Sequence, residues 1–286
     1  MDVVLKENLK THISRLSGEN FQAFTDFLFT KKYGSSFRAL RHHRDKGCDG
    51  IIQNKMVIAV YGPENGRNTL ASFKTKFSTD HQKYQENWSK LYPEFLFVYN
   101  SSLTGEMANF VKQNYQEFSI MDQNGIFELI ESLLYSKVFE IVKHLRIPEE
   151  YFSVDVLTEV INDLSKSGDE YASVPLVKPI YIEDKIILNY DLSDVESMKE
   201  EYYDTLPDIR TIEVILREYG DGEITALKSK IRTLYSELAG SFKERFNNLA
   251  NRLSERRPHD DIYRSKVRSV LLYMFELCII GRRTPT

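Results

Sequence analysis

Cysteine is scarce: only Cys48 and Cys278 occur in 286 residues, far apart in the chain. That pair supports no disulfide framework and no zinc site, and a reducing cytoplasm is the expected location. No apolar run approaches the ~18 residues of a membrane span, so no transmembrane helix and no membrane association are expected. The start, Met1-Asp2-Val3-Val4-Leu5-Lys6-Glu7, lacks the basic-then-apolar layout of a signal peptide. Internal repeats and low-complexity tracts are absent. A strongly basic balance is missing too: the formal net charge is -4, which excludes a uniformly basic nucleic-acid binder. The loop Gly62-Pro63-Glu64-Asn65-Gly66 is followed by no Gly-Lys-Ser/Thr and is no phosphate-cradling P-loop.

What is present is an ordinary globular balance, 42% hydrophobic and 28% charged. The length suits two domains. Two stretches punctuate the chain. At Leu145-Arg146-Ile147-Pro148 a helix should end, because a residue before proline disfavours the helical region. The stretch from Ser165 to Pro179 holds Ser167-Gly168-Asp169, Pro175 and Pro179 and reads as a linker. The expected divisions are an α/β domain over 1–145, a helix and linker over 146–180, and a mainly α-helical domain over 181–286.

Before the first break, helices and strands alternate. A helix opens near Gly18-Glu19-Asn20, with Phe21, Phe24, Leu28 and Phe29 on its apolar face. Ser35 to Leu40 reads as a strand. Asp49 to Ile52 and Met56 to Tyr61 read as two more, joined by a tight turn at Gln53-Asn54-Lys55. Residues 68–91 carry a helical period at Leu70, Phe73, Phe77, Tyr84 and Trp88. Phe95 to Tyr99 is a continuous apolar run of the kind found in buried central strands. Thr104 to Tyr115 is a predicted helix, Phe118 to Met121 a strand, and Ile126 to Leu145 mostly helix. The pattern predicts an α/β layer with a mixed sheet. Beyond the linker lie an apolar segment, Lys185 to Tyr190, and helical stretches from Asp194 to about Tyr203 and over 208–219, 223–256 and 260–280. The third carries a stripe at Leu227, Ile231, Leu234, Leu238, Phe242, Phe246 and Leu249.

Charge is uneven locally. Lys31, Lys32, Arg38, Arg41, Arg44 and Lys46 fall within sixteen residues whose one acid is Asp45. Such a patch can track phosphates, or be a solvated loop. The adjacent His42 and His43 point different ways and form a poor chelating pair. The loop Arg44-Asp45-Lys46-Gly47-Cys48-Asp49-Gly50 leads into one strand, the hairpin partner ends at Tyr61-Gly62-Pro63-Glu64, and the next helix carries Lys74, Lys76 and Asp80. Asp49 is a candidate metal ligand or a turn cap. Glu19 is a candidate accessory acid or a helix cap. Lys76 and Asp80, four apart, share a helix face and could equally form a plain ion pair. Trp88 reads as a core anchor.

With these residues in view, the order resembles the PD-(D/E)xK nuclease superfamily, especially its Mrr-like restriction-endonuclease branch, over about residues 17–125. In that branch an acid near the first helix precedes a Gly-x-Asp-Gly strand and then a strand bearing Gln/Glu-x-Lys. Gly47-Cys48-Asp49-Gly50 matches the first element. The resemblance implies a restriction-endonuclease-like mixed sheet flanked by helices, with Asp49 binding Mg²⁺ and Glu19 assisting. A hard cation held by carboxylates lowers the pKa of an attacking water, and a lysine neutralises developing charge. The second element departs from the pattern: Ala59 stands where Gln/Glu is expected and Tyr61 where lysine is expected. Alanine ligates nothing, and tyrosine donates a hydrogen bond but is neutral at pH 7.

The run Val60-Tyr61-Gly62-Pro63-Glu64, Lys76 with Asp80, Trp88 and Phe97-Val98-Tyr99-Asn100 is similar to a nuclease-like group of bacterial defence loci. That group carries Tyr-x-Pro-Glu after the hairpin strand and a lysine and an aspartate on the next helix. It implies that Lys76 replaces the missing strand lysine, with Asp80 as a further metal ligand. Lys185-Ile186-Ile187-Leu188-Asn189 and the ending from Val270 to Gly281 resemble C-terminal domains of effectors in ABC-three-component systems, of which Lamassu defence is a relative. The expectation is an anti-phage effector: a Mg²⁺-dependent DNA endonuclease, controlled by an SMC-like or ABC-type ATPase and a small middle subunit. A homo-oligomer would serve to cut both strands. The alternatives are a catalytically silent nuclease fold that binds DNA or protein, and an adaptor whose helical half does the main work.

Overall fold

A computed structural model describes residues 1, 3–40, 47–53, 55–64, 69–115, 118–165 and 181–282. The described chain divides into two compact units, Val3–Pro148 and Glu149–Thr286.

The first unit begins with α1 (Val3–Arg15) and α2 (Gly18–Tyr33). The sequence reading passed over α1, yet Leu5, Leu9 and Ile13 recur every fourth residue and are fully buried. After a short 3-10 turn at Gly34–Ser36 come β1 (Phe37–Ala39), β2 (Gly50–Ile52) and β3 (Met56–Tyr61), then α3 (Leu70–Asn87), β4 (Glu94–Tyr99), α4 (Gly105–Asn114), β5 (Phe118–Met121), α5 (Gln123–Glu131) and α6 (Tyr135–His144). The stretch Ile126 to Leu145, expected to be mostly helix, is two helices separated at Ser132–Leu134.

The five strands form one mixed sheet in the order β1-β2-β3-β4-β5. β1, β2 and β3 are antiparallel neighbours, while β4 pairs parallel with both β3 and β5. The parallel pairs are possible because α3 and α4 supply the crossovers that hairpins cannot. One sheet face, with Val57, Ala59, Phe95, Phe97 and Tyr99, is buried in a common core with Phe73, Phe77 and Tyr84 of α3. Edge-to-face packing of Phe77 on Phe95 and Phe97, with centroids 6.1 and 5.0 Å apart, fixes the helix against the sheet.

The second unit is helical: α7 (Glu149–Ser165), α8 (Ile182–Asn189), α9 (Val195–Leu216), α10 (Asp221–Ser236), α11 (Phe242–Leu253) and α12 (Asp261–Glu276). Three of these differ from the sequence reading. The apolar segment Lys185 to Tyr190 is helical up to Asn189, where α8 ends. α9 runs without interruption through Pro207. Proline cannot donate to the carbonyl of Tyr203, but both residues are exposed, so water can satisfy that oxygen. The expected long helix over 223–256 is two helices, because Gly240 takes φ 109 and Ser241 restarts the chain with a reciprocal cap. Ser241 Oγ accepts from the Glu244 backbone N–H at 3.3 Å, and the Glu244 carboxylate accepts from the Ser241 N–H at 2.8 Å.

A polar cluster ties this unit together. Lys266 Nζ lies 2.8 Å from both Asp208 oxygens and 2.9 Å from Ser153 Oγ, joining α12, α9 and α7. The two segments singled out for resemblance, around 185–189 and 270–281, also meet. Buried Lys185 donates to the Phe275 carbonyl, and Asn189 Oδ1 accepts from the Arg282 N–H at 2.6 Å. These contacts belong to packing within the helical unit.

Candidate functional site

Asp49 stands at the mouth of the β2–β3 hairpin. Its backbone N–H donates to the Ile58 carbonyl at 2.8 Å, and its own carbonyl accepts from the Leu40 N–H at 2.9 Å. Gly50 pairs with Ile58, where the register of the two strands ends, and the Asp49 N–H reaches the same Ile58. Its carboxylate is held from two sides: Oδ2 accepts from the Val60 N–H at 2.7 Å and Oδ1 from the Gln22 side-chain amide at 3.0 Å.

Glycine permits the close packing here. Gly50 lies under the Phe37 ring, where a Cβ would come within 2.7 Å of ring carbon. Gly47, at φ +75, approaches α3 so closely that a Cβ would lie 2.8 Å from the Lys83 Cβ and 3.3 Å from the Asp80 carbonyl oxygen. The loop carrying Asp49 therefore rests on the turn of α3 that contains Asp80. The start of α2 is anchored nearby: the Gly18 N–H donates to the Gly62 carbonyl at 2.8 Å, and the buried Asn100 amide donates to the Leu16 carbonyl at 2.7 Å.

On α3, Lys76 Nζ bridges both oxygens of Asp80, 3.1 Å from Oδ1 and 2.9 Å from Oδ2. The aspartate side chain is 2% exposed and the lysine 39%. The pair thus joins a buried anion to a cation that reaches the surface. Next in sequence, His81 is buried among Phe77, Phe95 and Tyr115, with centroids 6.0, 5.5 and 4.8 Å away. Burial lowers its pKa below the usual histidine value.

The positions normally charged in the resembled family are apolar or stacked. Ala59 is fully buried in the sheet–α3 core. Tyr61 stacks on Tyr99 with centroids 5.8 Å apart and an interplanar angle of 12°. Glu19 is exposed in the first turn of α2, where an acid favours the helix dipole. The α2 residue that reaches Asp49 is Gln22, one turn on. Sequence reasoning missed it, although a residue three positions from Glu19 shares its helix face.

Of the basic residues, Lys31 is ion-paired with Glu140 and sits 5.0 Å from the Phe27 ring centroid, and Lys32 donates to Ser132 Oγ at 2.8 Å. Both hold α2 to the α5–α6 region. Arg38 is exposed on the edge strand β1. Arg41, Arg44 and Lys46, with Asp45 and the two histidines, lie outside the described residues. Among the described residues no group of three or more His, Cys, Asp or Glu is assembled to hold a metal. The donor set fits a hard cation in one mode: a single carboxylate, Asp49, with water and substrate phosphates completing the shell. Asp80, buried and bridged by Lys76, is poorly disposed to add a second. No described helix is long and apolar enough to cross a membrane.

Comparison of the chain with protein-family models, with curated proteins and with solved structures gives no match.

Proposed function

We propose that the first unit is a restriction-endonuclease-like domain that hydrolyses DNA phosphodiesters with Mg²⁺, using Asp49 as metal ligand and Lys76 in place of a strand lysine. The observation that supports this reading is the approach of Gly47, two residues before Asp49, to the backbone of α3 at Asp80. The mixed sheet flanked by helices is compatible with the fold that the resemblance implies. When bound, the ion would lower the pKa of an attacking water and offset charge on the phosphate. The chain's own contributions are positional. Gln22 and the Val60 N–H fix the Asp49 carboxylate, and Asp80 holds Lys76 extended along α3. Within the same reading, Glu19 is an accessory acid and Tyr61 a hydrogen-bond donor. The helical unit would dock the chain onto an SMC-like ATPase and small middle subunit in a cytoplasmic anti-phage complex.

A second reading rests on one observation, the complete burial of Ala59 where a ligand would stand. It makes the domain a catalytically silent DNA- or protein-binding subunit. Plasmid nicking by the full chain across a Mg²⁺ titration, with and without its partner ATPase, separates the two. Metal-dependent nicking that disappears in Asp49→Ala supports the nuclease. Nicking by neither preparation at any metal concentration overturns it in favour of the binding module.

A further inference from the structure

The outward face of α3 is not used by the core. Ser72, Thr75, Lys76, Thr79, Asp80 and Lys83 recur at helical spacing and line an open hollow of about 460 Å³. Thr75 and Thr79 are exposed, and Lys83 lies against the Gly47 backbone. The one acid in this row is Asp80, which is buried and bridged by Lys76. What faces solvent is therefore hydroxyl and ammonium groups, with a net positive charge. No aromatic side chain lines the hollow among the described residues. The surroundings reinforce the sign: residues 1–148 hold 19 Lys/Arg against 16 Asp/Glu, while residues 149–286 hold 19 against 26.

We infer that this face is a track for the sugar-phosphate backbone of duplex DNA, with Thr75, Thr79 and Lys83 as its contacts. The inference rests on the DNA-acting reading of the first unit, but concerns binding and needs no cleavage. Hydroxyls and lysines are the side chains that contact phosphate oxygens and set register without reading sequence. Single-strand sites add aromatic platforms on which bases stack, and this hollow offers none. Successive contacts four residues apart rise about 6 Å along the helix, so a backbone lying along α3 would meet them in turn. The track ends at Gly47, two residues before Asp49, which would bring a bound backbone towards the proposed metal ligand.

The test is fluorescence anisotropy of the full-length protein with a short labelled duplex in EDTA, across a range of KCl concentrations. Lys83→Ala is expected to weaken binding regardless of duplex sequence and to reduce the slope of log K against log salt by about one. Thr79→Glu, at an exposed position that leaves the core untouched, is expected to weaken binding as well. Lys10→Ala, which removes the same charge from α1, should leave binding unchanged. Wild-type affinity in both α3 variants, an equal loss in Lys10→Ala, no duplex binding by the wild type, or tighter binding of the single strand would each overturn the inference. Loss of binding in the α3 variants together with no metal-dependent nicking by the wild type would uphold the track while rejecting the nuclease.

Discussion

Asp49 already has a structural task, since its two oxygens take the Val60 N–H and the Gln22 amide. Hydrogen bonds to a charged group contribute about 1.5–3 kcal/mol, so Asp49→Ala should lower unfolding stability by a few kcal/mol in urea titrations. Asp49→Asn retains an acceptor, and its smaller loss would separate the fold's need for an acceptor from a metal's need for charge. Lys76 poses the same question. Removing it takes a cation away from buried Asp80. The cost should lie between the ~0.2–1 kcal/mol of an exposed pair and the ~3–5 kcal/mol of a buried one, because Lys76 is 39% exposed. Lys76→Ala combined with Asp80→Asn should recover most of that stability, and equal destabilisation in the single and double variants would contradict the pairing. At this scale Asp49, Lys76 and Asp80 were legible from residue type and spacing. Gln22 was not, because a neutral amide carries no signature until the fold brings it to a carboxylate.

Elements were legible where burial is continuous. Phe95 to Tyr99 and Met56 to Tyr61 read as strands because both sheet faces are covered, and α3 read as a helix because Phe73, Phe77 and Tyr84 must meet them. The misreadings share a cause: local signals outweighed by a neighbour, or overlooked. The stretches expected to end near Tyr203 and restart at 208 are one helix through Pro207, whose lost hydrogen bond falls on a solvent-exposed turn. Gly240-Ser241 is a break, and its capping box with Glu244 was present in the sequence. Ser241→Ala should destabilise the helical unit by about 0.5–2 kcal/mol, measured by thermal or urea unfolding. In α3, the lowered pKa of His81 makes a pH prediction. Burial keeps the folded imidazole neutral to lower pH than in the unfolded chain, which takes a proton below about pH 6.5. Stability contributed by neutral His81 is therefore present above that pH and lost as pH falls below it. The urea midpoint should drop between about pH 7.5 and about pH 5.5, and His81→Phe should flatten that drop. An unchanged slope in the variant would remove His81 from the explanation.

At the scale of the whole molecule, α7 belongs with the helical unit, joined to α9 and α12 through Ser153, Asp208 and Lys266. The sequence reading assigned it to a connecting segment, since nothing in its own apolar pattern names its partners. A fragment of residues 149–286 should unfold cooperatively by circular dichroism, and one beginning at 181 should not. The two units also differ in charge, with the excess of acid confined to residues 149–286. That division suits a first unit that approaches nucleic acid and a second that does not. The claim that binds these observations is that a lysine on α3 replaces the one missing from β3. Single-turnover plasmid cleavage by the full chain, with and without the proposed ATPase partner, tests it through Lys76→Ala and the double variant Lys76→Ala/Tyr61→Lys. The account predicts loss of cleavage in the first at saturating DNA, and recovery in the second as lysine returns to the strand; undiminished cleavage by Lys76→Ala would contradict it.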